Sequence, residues 1–421
     1  MSRFLTPQPN LEHIKHEAKE LRKALQGRQP EVIPVMRHIH RFSQASDAEI
    51  FAADVALTEC QFALALDYGF SGWQELRRTI LQLGVGPDYQ ASAADDAVML
   101  PDTPAGIRNP SRYASAFAMA FNYIGVPTDY ETVCGDSGAA FIFQADSLHT
   151  PFDTNVRQLD MGWWPLDEWG FFLRLGFISE VNGVPLHIVP SVHAEYKADP
   201  ARHYHDHHEA EILDSIDAGR PAIGAVGNDI NLIVGYDDGN PPLHGQLSCV
   251  DEVKVQRIGR YPYDVVILGD PGPRMDRLEA DVQALNFAIA LGRDEVELAH
   301  LPGKSSGAKS WLLWEQQLAD DELCGPHYFS ANVVGHLRIN RSNAATYLRT
   351  MSTRHTPAVA AHLLHAAGLY DELEALMRTA DVSKEAFATL EGRTPLITLL
   401  HTCSALDAQA TTALAEAVAA M

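Results

Sequence analysis

Apolar positions recur at spacings of three and four near the start of the chain. Leu11, Ile14, Ala18, Leu21 and Leu25 make one stripe, the signature of a helix with a single buried face. Asn10 stands where an N-cap belongs. Ser46 with Glu49, Thr58 with Gln61 and Ser71 with Gln74 repeat the capping-box spacing. Gly69 is a stop signal, and Trp73 and Leu76 can anchor a short last helix. Residues 1–83 are therefore expected to form a small helical module. The pattern then lapses. GVGPDYQASAADDAVMLPDTPAG has no period, so a linker is expected over 84–104.

The pattern changes again beyond residue 105. SRYASAFAMAFNYIG reads as a helix of small and aromatic residues, started at Ser111 and stopped at Gly125. YETVCGDSGAAFIFQ reads as a glycine-containing turn entering an apolar strand, and WWPLDEWGFFLRLGF as a turn and a helix. PLHIVPSV reads as a strand, and HHEAEILDSIDAG as a helix ending at Gly219. RPAIGAVG, INLIVGYDD, VKVQRIG and YDVVILGDPG are strand-like runs with turn residues between them, and RLEADVQALNFAIALG is an amphipathic helix. Helices, then strands, then helices point to an α+β domain over 105–325 with a mainly antiparallel sheet. Residues 326–421 are rich in Ala and Leu and read as helical. Helical hairpins are expected there, with worn ankyrin units as the alternative. The Thr-Pro to Thr-Pro spacing, Thr356 to Thr394, is 38 residues, against an ankyrin period of about 33.

Composition narrows the function classes. The 421 residues are 46% hydrophobic and 21% charged, enough for a packed core. The net charge is −23. Residues 1–82 hold ten basic and ten acidic side chains, and 326–421 hold seven and eight, so nearly all of the surplus lies between them. That sign argues against nucleic acid and against anionic membrane surfaces as partners. No P-loop and no GxGxxG after a strand is present, which removes the support for nucleotide binding. The five cysteines are widely spaced, odd in number and without CxxC, which points to a reducing compartment. With no apolar leader core and no membrane-length apolar run, a cytoplasmic protein is expected.

Two resemblances add to this. NLEHIKHEAKELRKAL and ALDYGFSGWQELRRTI resemble the helical segment that precedes ankyrin arrays in many bacterial proteins. The resemblance implies an interaction module and a protein partner at the helical ends. The first helix of the middle region, the GDSGA turn, RPAIGAVG, INLIVGYDD and VILGDPG resemble the papain-like fold over residues 105–325. The nearest branch is that of the bacteriocin leader-processing peptidases and the butirosin-biosynthesis acyltransferase. It implies a papain-like core, acyl-transfer or amide-bond chemistry on a small-molecule, peptide or acyl substrate, and no cofactor. It also implies a nucleophilic Cys at the start of the first helix, a His near the start of the VGYD strand, and an Asp before Pro that orients the His.

This sequence departs from that pattern. Asp270 matches the orienting position. The His position falls on Asn228, Asp229 or Asn231, and the helix start holds Ser111 and Ser115 in place of Cys. A thiol or hydroxyl needs a base to become a nucleophile. Cys134, just before GDSG, is the rival nucleophile, with His149, His187, His193 and His244 as bases that the fold would have to bring near. Two expectations follow. Either a catalytic site is rebuilt around Cys134 or Ser111 with Asp270, or the chain is a non-catalytic binding or scaffold protein of the same fold. A third is a metal site. On one continuous helix His203, His207 and Glu211 share a face at i, i+4 and i+8, a geometry suited to zinc or nickel; a solvated helix start is the alternative. Trp163, Trp164, Trp169, Phe171 and Phe172 form the densest aromatic patch, as pocket lining or as core.

Overall fold

The structure, a computed structural model, describes residues 11–42, 45–53, 55–68, 73, 76, 97–107, 111–146, 159–160, 174–189, 191–226, 229–296, 304–321, 323–324 and 327–421. Among them no helix is long and apolar enough to cross a membrane. The chain divides into two compact units. One is Met1–Gln90 with Val226–Asp229 and Ile258–Arg260; the other is Ala91–Ala225, Ile230–Arg257 and Tyr261–Met421.

The first unit is helical: Leu11–Gln26, Ile33–Met36, Asp47–Ala52 and Leu57–Asp67. The apolar stripe of the first helix is its core. Ile14, Ala18, Leu21 and Leu25 are buried with Met36, Ile50, Cys60, Leu64 and Leu76, and Trp73 packs against them. Ser46 and Glu49 form the expected capping box. The second box is shifted: the helix begins at Leu57, and the Glu59 carboxylate accepts the Ala56 N–H at 3.1 Å. Asn10, Gly69 and the Ser71–Gln74 pair lie outside the described residues.

The second unit is built on an antiparallel sheet. The sheet strands are β1 (Val98–Met99), β4 (Leu186–Val189), β5 (Ala222–Val226), β6 (Asp229–Tyr236), β7 (Leu243–Leu247), β8 (Gln256–Arg257) and β9 (Asp264–Leu268), all in this unit except the terminal residues Val226 of β5 and Asp229 of β6. They lie in the order β4-β9-β5-β6-β7-β8, with β1 on the end of β6. A small second sheet joins β2 (Gln144–Asp146), β3 (Leu159–Asp160) and β10 (Lys304–Ser306). β5 and the Leu232–Val234 stretch of β6 read as apolar runs because the sheet centre is covered on both faces. β1 corrects one expectation: Val98–Met99, placed in the 84–104 linker from sequence, pairs with Tyr236 and Gly235.

The helix Arg112–Tyr123 buries nine consecutive residues, Tyr113–Phe121. Alternating alanines leave room for neighbouring elements on every side. The next segment, expected as a turn, is a helix, Tyr130–Ser137. Asp129 caps it by accepting the Thr132 N–H at 2.6 Å, and Gly138, at φ +86°, ends it. Gly135 is needed inside it, since a Cβ there would overlap the Tyr347 ring.

The C-terminal residues belong to this same unit. Their three long helices, His327–Ser352, Pro357–Met377 and Leu390–Ala420, have 26, 21 and 31 residues. A repeat of about 33 residues that must hold a turn and two helices is too short for helices of these lengths. Buried polar groups tie them inward. Arg341 donates to the Ala140 carbonyl at 3.0 Å and to Asp407 at 3.2 Å, and the Trp311 indole donates to Asp407 at 2.9 Å.

A second buried network joins four segments. Arg277 donates to both oxygens of Asp136, at 2.7 and 2.6 Å, and to Asp281. The Tyr347 hydroxyl donates to Asp136 at 2.6 Å. Asp281, fully buried, also takes hydrogen bonds from Arg354 (2.6 Å) and pairs with His355 (2.8 Å). Burial alone would raise the Asp281 carboxyl. The Arg354 hydrogen bonds, the Arg277 and Arg354 charges and the His355 contact hold it below its ordinary value.

One substitution follows from the backbone alone. Gly368 lies within the helix Pro357–Met377, and a Cβ there meets nothing within 4 Å. Gly368→Ala is expected to raise stability by about 0.5–1 kcal/mol, read as a higher urea midpoint at unchanged slope.

Candidate functional site

The start of the helix Arg112–Tyr123 is where the papain-like resemblance places a nucleophile. Ser111 is its N-cap, but the Ser111 side chain makes no cap hydrogen bond. The Ser111 N–H donates to the Tyr130 hydroxyl at 2.8 Å. One turn on, the Ser115 hydroxyl donates to the Ser248 carbonyl at 2.6 Å, and the Ser248 N–H donates to the Ile230 carbonyl on β6. The helix start therefore docks beside the start of β6, the edge where the resemblance expects a histidine. Asn231 stands on that strand, fully buried.

The Tyr130 hydroxyl also accepts from the Asn343 amide at 2.9 Å. With its oxygen engaged twice, its proton is directed to Cys134, with which it shares a hydrogen bond. The Asn343 amide lies 3.7 Å from the Cys134 sulfur as well. Cys134 sits inside the helix Tyr130–Ser137 with no exposed surface. Burial pushes its thiol well above the ordinary range, and the Tyr130 hydrogen bond does not offset it. Burial likewise raises the Tyr130 hydroxyl. The expected turn with an oxyanion nest at Cys134 is thus corrected: the thiol is enclosed in a helix, hydrogen-bonded to a tyrosine and an asparagine.

Of the histidines named as bases, the two described ones, His187 and His244, do not meet it. His244 is buried on β7, 2.9 Å from Asp237, which Arg257 and the Gly239 N–H also hold. His187 is exposed on β4, opposite Ile267 of β9. His149 and the His193 side chain lie outside the described residues, as does the Trp163–Phe172 aromatic patch. A histidine not singled out from sequence, His336, is half-buried on the helix His327–Ser352, one face with Asn343. Burial and the Arg112 charge push it down to about 4. Tyr130 and Asn343 are 213 residues apart, so no local sequence signal announces this junction.

Asp270 does not orient a base here. β9 runs antiparallel to β5, with Ala222 opposite Ile267 and Ala225 opposite Asp264. Asp270 therefore follows the end of β9 beside the start of β5, while the helix start lies by the start of β6. The eight residues of β6 span roughly 25 Å at about 3.3 Å each, so the two are at opposite ends of the sheet. Asp270 is 87% exposed and pairs with Arg220 at 2.6 Å.

The metal set is also taken apart. The helix expected through His203, His207 and Glu211 stops at His207 and restarts at Glu209, with His208 at φ −119° between. Glu211 is exposed on the second helix. His207 pairs with Glu195 at 2.9 Å. His203 Nε2 accepts the Val192 N–H at 3.0 Å, so its Nδ1 carries the proton and has no lone pair for a metal. Among the described residues, no group of three or more His, Cys, Asp or Glu side chains could hold a metal ion. His208 donates its Nε2 proton to the Tyr263 carbonyl at 3.2 Å. Burial, with the neighbouring His203, pushes it down to about 4.

Compared with known proteins, the chain matches no family model and no curated protein.

Proposed function

We propose that this chain is a non-catalytic binding or scaffold protein on a papain-like core, derived from an acyl-transfer or amide-bond enzyme. The carrying observation is the closed junction at the helix start. Cys134 is sealed and held as a thiol, and Asp270 pairs with Arg220 far from the helix start. The supporting features are an antiparallel sheet with a buried helix docked on the start of β6. Partners are a small-molecule, peptide or acyl ligand and, at the helical ends, another protein. We place the chain in the cytoplasm, on five cysteines of which none forms a disulfide.

A second reading keeps Ser111 as a nucleophile with His336, neutral at pH 7, as the base; the charge of Arg112 acting on His336 is the observation behind it. One experiment separates the two. The intact protein is incubated with a fluorophosphonate and with p-nitrophenyl acetate, and adducts are mapped by mass. The binding reading expects no stoichiometric adduct on Ser111, Ser115 or Cys134. An adduct on Ser111 that disappears in His336→Ala would establish the rebuilt enzyme instead.

A further inference from the structure

Arg174 is held in a way the fold itself does not use. Its backbone is left-handed, φ +41° and ψ 52°, a conformation unfavourable for any residue with a Cβ. It precedes the helix Leu175–Asn182 without capping it by its side chain. The guanidinium carbon lies 3.9 Å from the centroid of the Phe177 ring and 4.5 Å from that of Phe287. Its hydrogen bond is a long one, 3.4 Å, to the Asp136 carbonyl.

The carboxylates nearby are already engaged. Asp136 takes two bonds from Arg277 and one from Tyr347. Asp281 takes Arg277, Arg354 and His355. Two carboxylates thus face three guanidiniums, and among the described residues none forms an ion pair with Arg174. Glu180, whose charge also acts on Arg174, is exposed to water. Desolvation works against the charge of Arg174. A half-buried cation held between aromatic rings in a strained backbone, inside a chain of net charge −23, is an arrangement that an anionic ligand completes.

We propose that Arg174 anchors a binding site for a carboxylate group on a ligand with an apolar body. A single planar fork matches one carboxylate in two parallel hydrogen bonds, whereas a phosphate dianion usually gathers several donors. Phe177, buried beneath the guanidinium, fixes its orientation, and the half-buried Phe287 gives the apolar part of the ligand a ring beside which to lie. The site is separate from the helix start at Ser111, so it stands whether or not that junction is catalytic.

The test is side-chain NMR of protein labelled with 15N-arginine, titrated with sodium benzoate at constant ionic strength and, separately, with inorganic phosphate. The Arg174 Nε–H signal is assigned by its loss in Arg174→Lys. Should that variant not fold, Phe177→Leu assigns it by the changed ring-current shift. The proposal expects a saturable shift of this one signal with benzoate, weakened at least several-fold in Phe177→Leu. No saturable shift would overturn it. A response to phosphate alone would overturn the carboxylate assignment.

Discussion

Replacing Asp281 with alanine is expected to destabilise the second unit by about 3–5 kcal/mol, the usual cost of removing one partner from a buried ion pair. Asp281 is fully buried and is the common acceptor for Arg277, Arg354 and His355. Its loss leaves Arg354 and His355 without their carboxylate and Arg277 with Asp136 alone. The penalty is mostly the desolvation of the cations left behind. Asp281→Asn keeps the shape and should recover only part of it, because an amide accepts but does not neutralise. Asp371→Asn, which breaks the exposed pair with Arg349, should cost under about 1 kcal/mol. Urea unfolding reads all three. An Asp281→Ala midpoint within error of Asp371→Asn would mean that the network is not closed as described.

The second large effect is an acid one. His208 is fully buried, and its folded value is pushed down to about 4. In an unfolded chain a histidine titrates near 6.5. Its folded value is depressed, so the unfolded state binds the extra proton first. The stability it protects is fully present above about pH 6.5 and is lost as pH falls toward 4. At about 1.4 kcal/mol per unit, that is on the order of 3 kcal/mol over the window. His336 acts in the same direction and window, with a smaller share because its side chain is partly exposed. Asp281 and Asp237, whose carboxyls are held low by their cationic and hydrogen-bonding partners, add their losses only below about pH 4. His208→Phe should flatten the stability curve between pH 6.5 and 4. A wild-type curve flat across that window would show that His208 is not buried neutral.

Much of the fold was legible because burial and periodicity agree there. The helix Arg112–Tyr123, the strands β5, β6 and β9, and the helix Arg277–Gly292 all carry apolar patterns that their environments require. β7 was missed because its sequence, LHGQL, puts polar residues into the interior. His244 is satisfied by Asp237, and Gln246 by the Glu252 carbonyl and the Lys254 N–H. No local pattern shows such partners. Tyr130–Ser137 read as a turn because Gly135 and Gly138 look like breakers; one is a packing contact against Tyr347 and the other a helix stop. At the site, the residue types were found but not their surroundings. Whether Cys134 is a nucleophile or a core thiol depends on Tyr130 and on Asn343, 209 residues from it. The imidazoles His203 and His207 were grouped by helical spacing, and the break at His208 separates them from Glu211.

The most direct test of the non-catalytic reading is the native-state labelling rate of Cys134 with dilute iodoacetamide from pH 5 to 9, followed by peptide mapping. The closed junction predicts that the partly exposed Cys249 and Cys324 react first, and that Cys134 stays unmodified until denaturant opens the fold. Fast, selective labelling of Cys134 well below pH 8 would reveal an activated thiolate and contradict it.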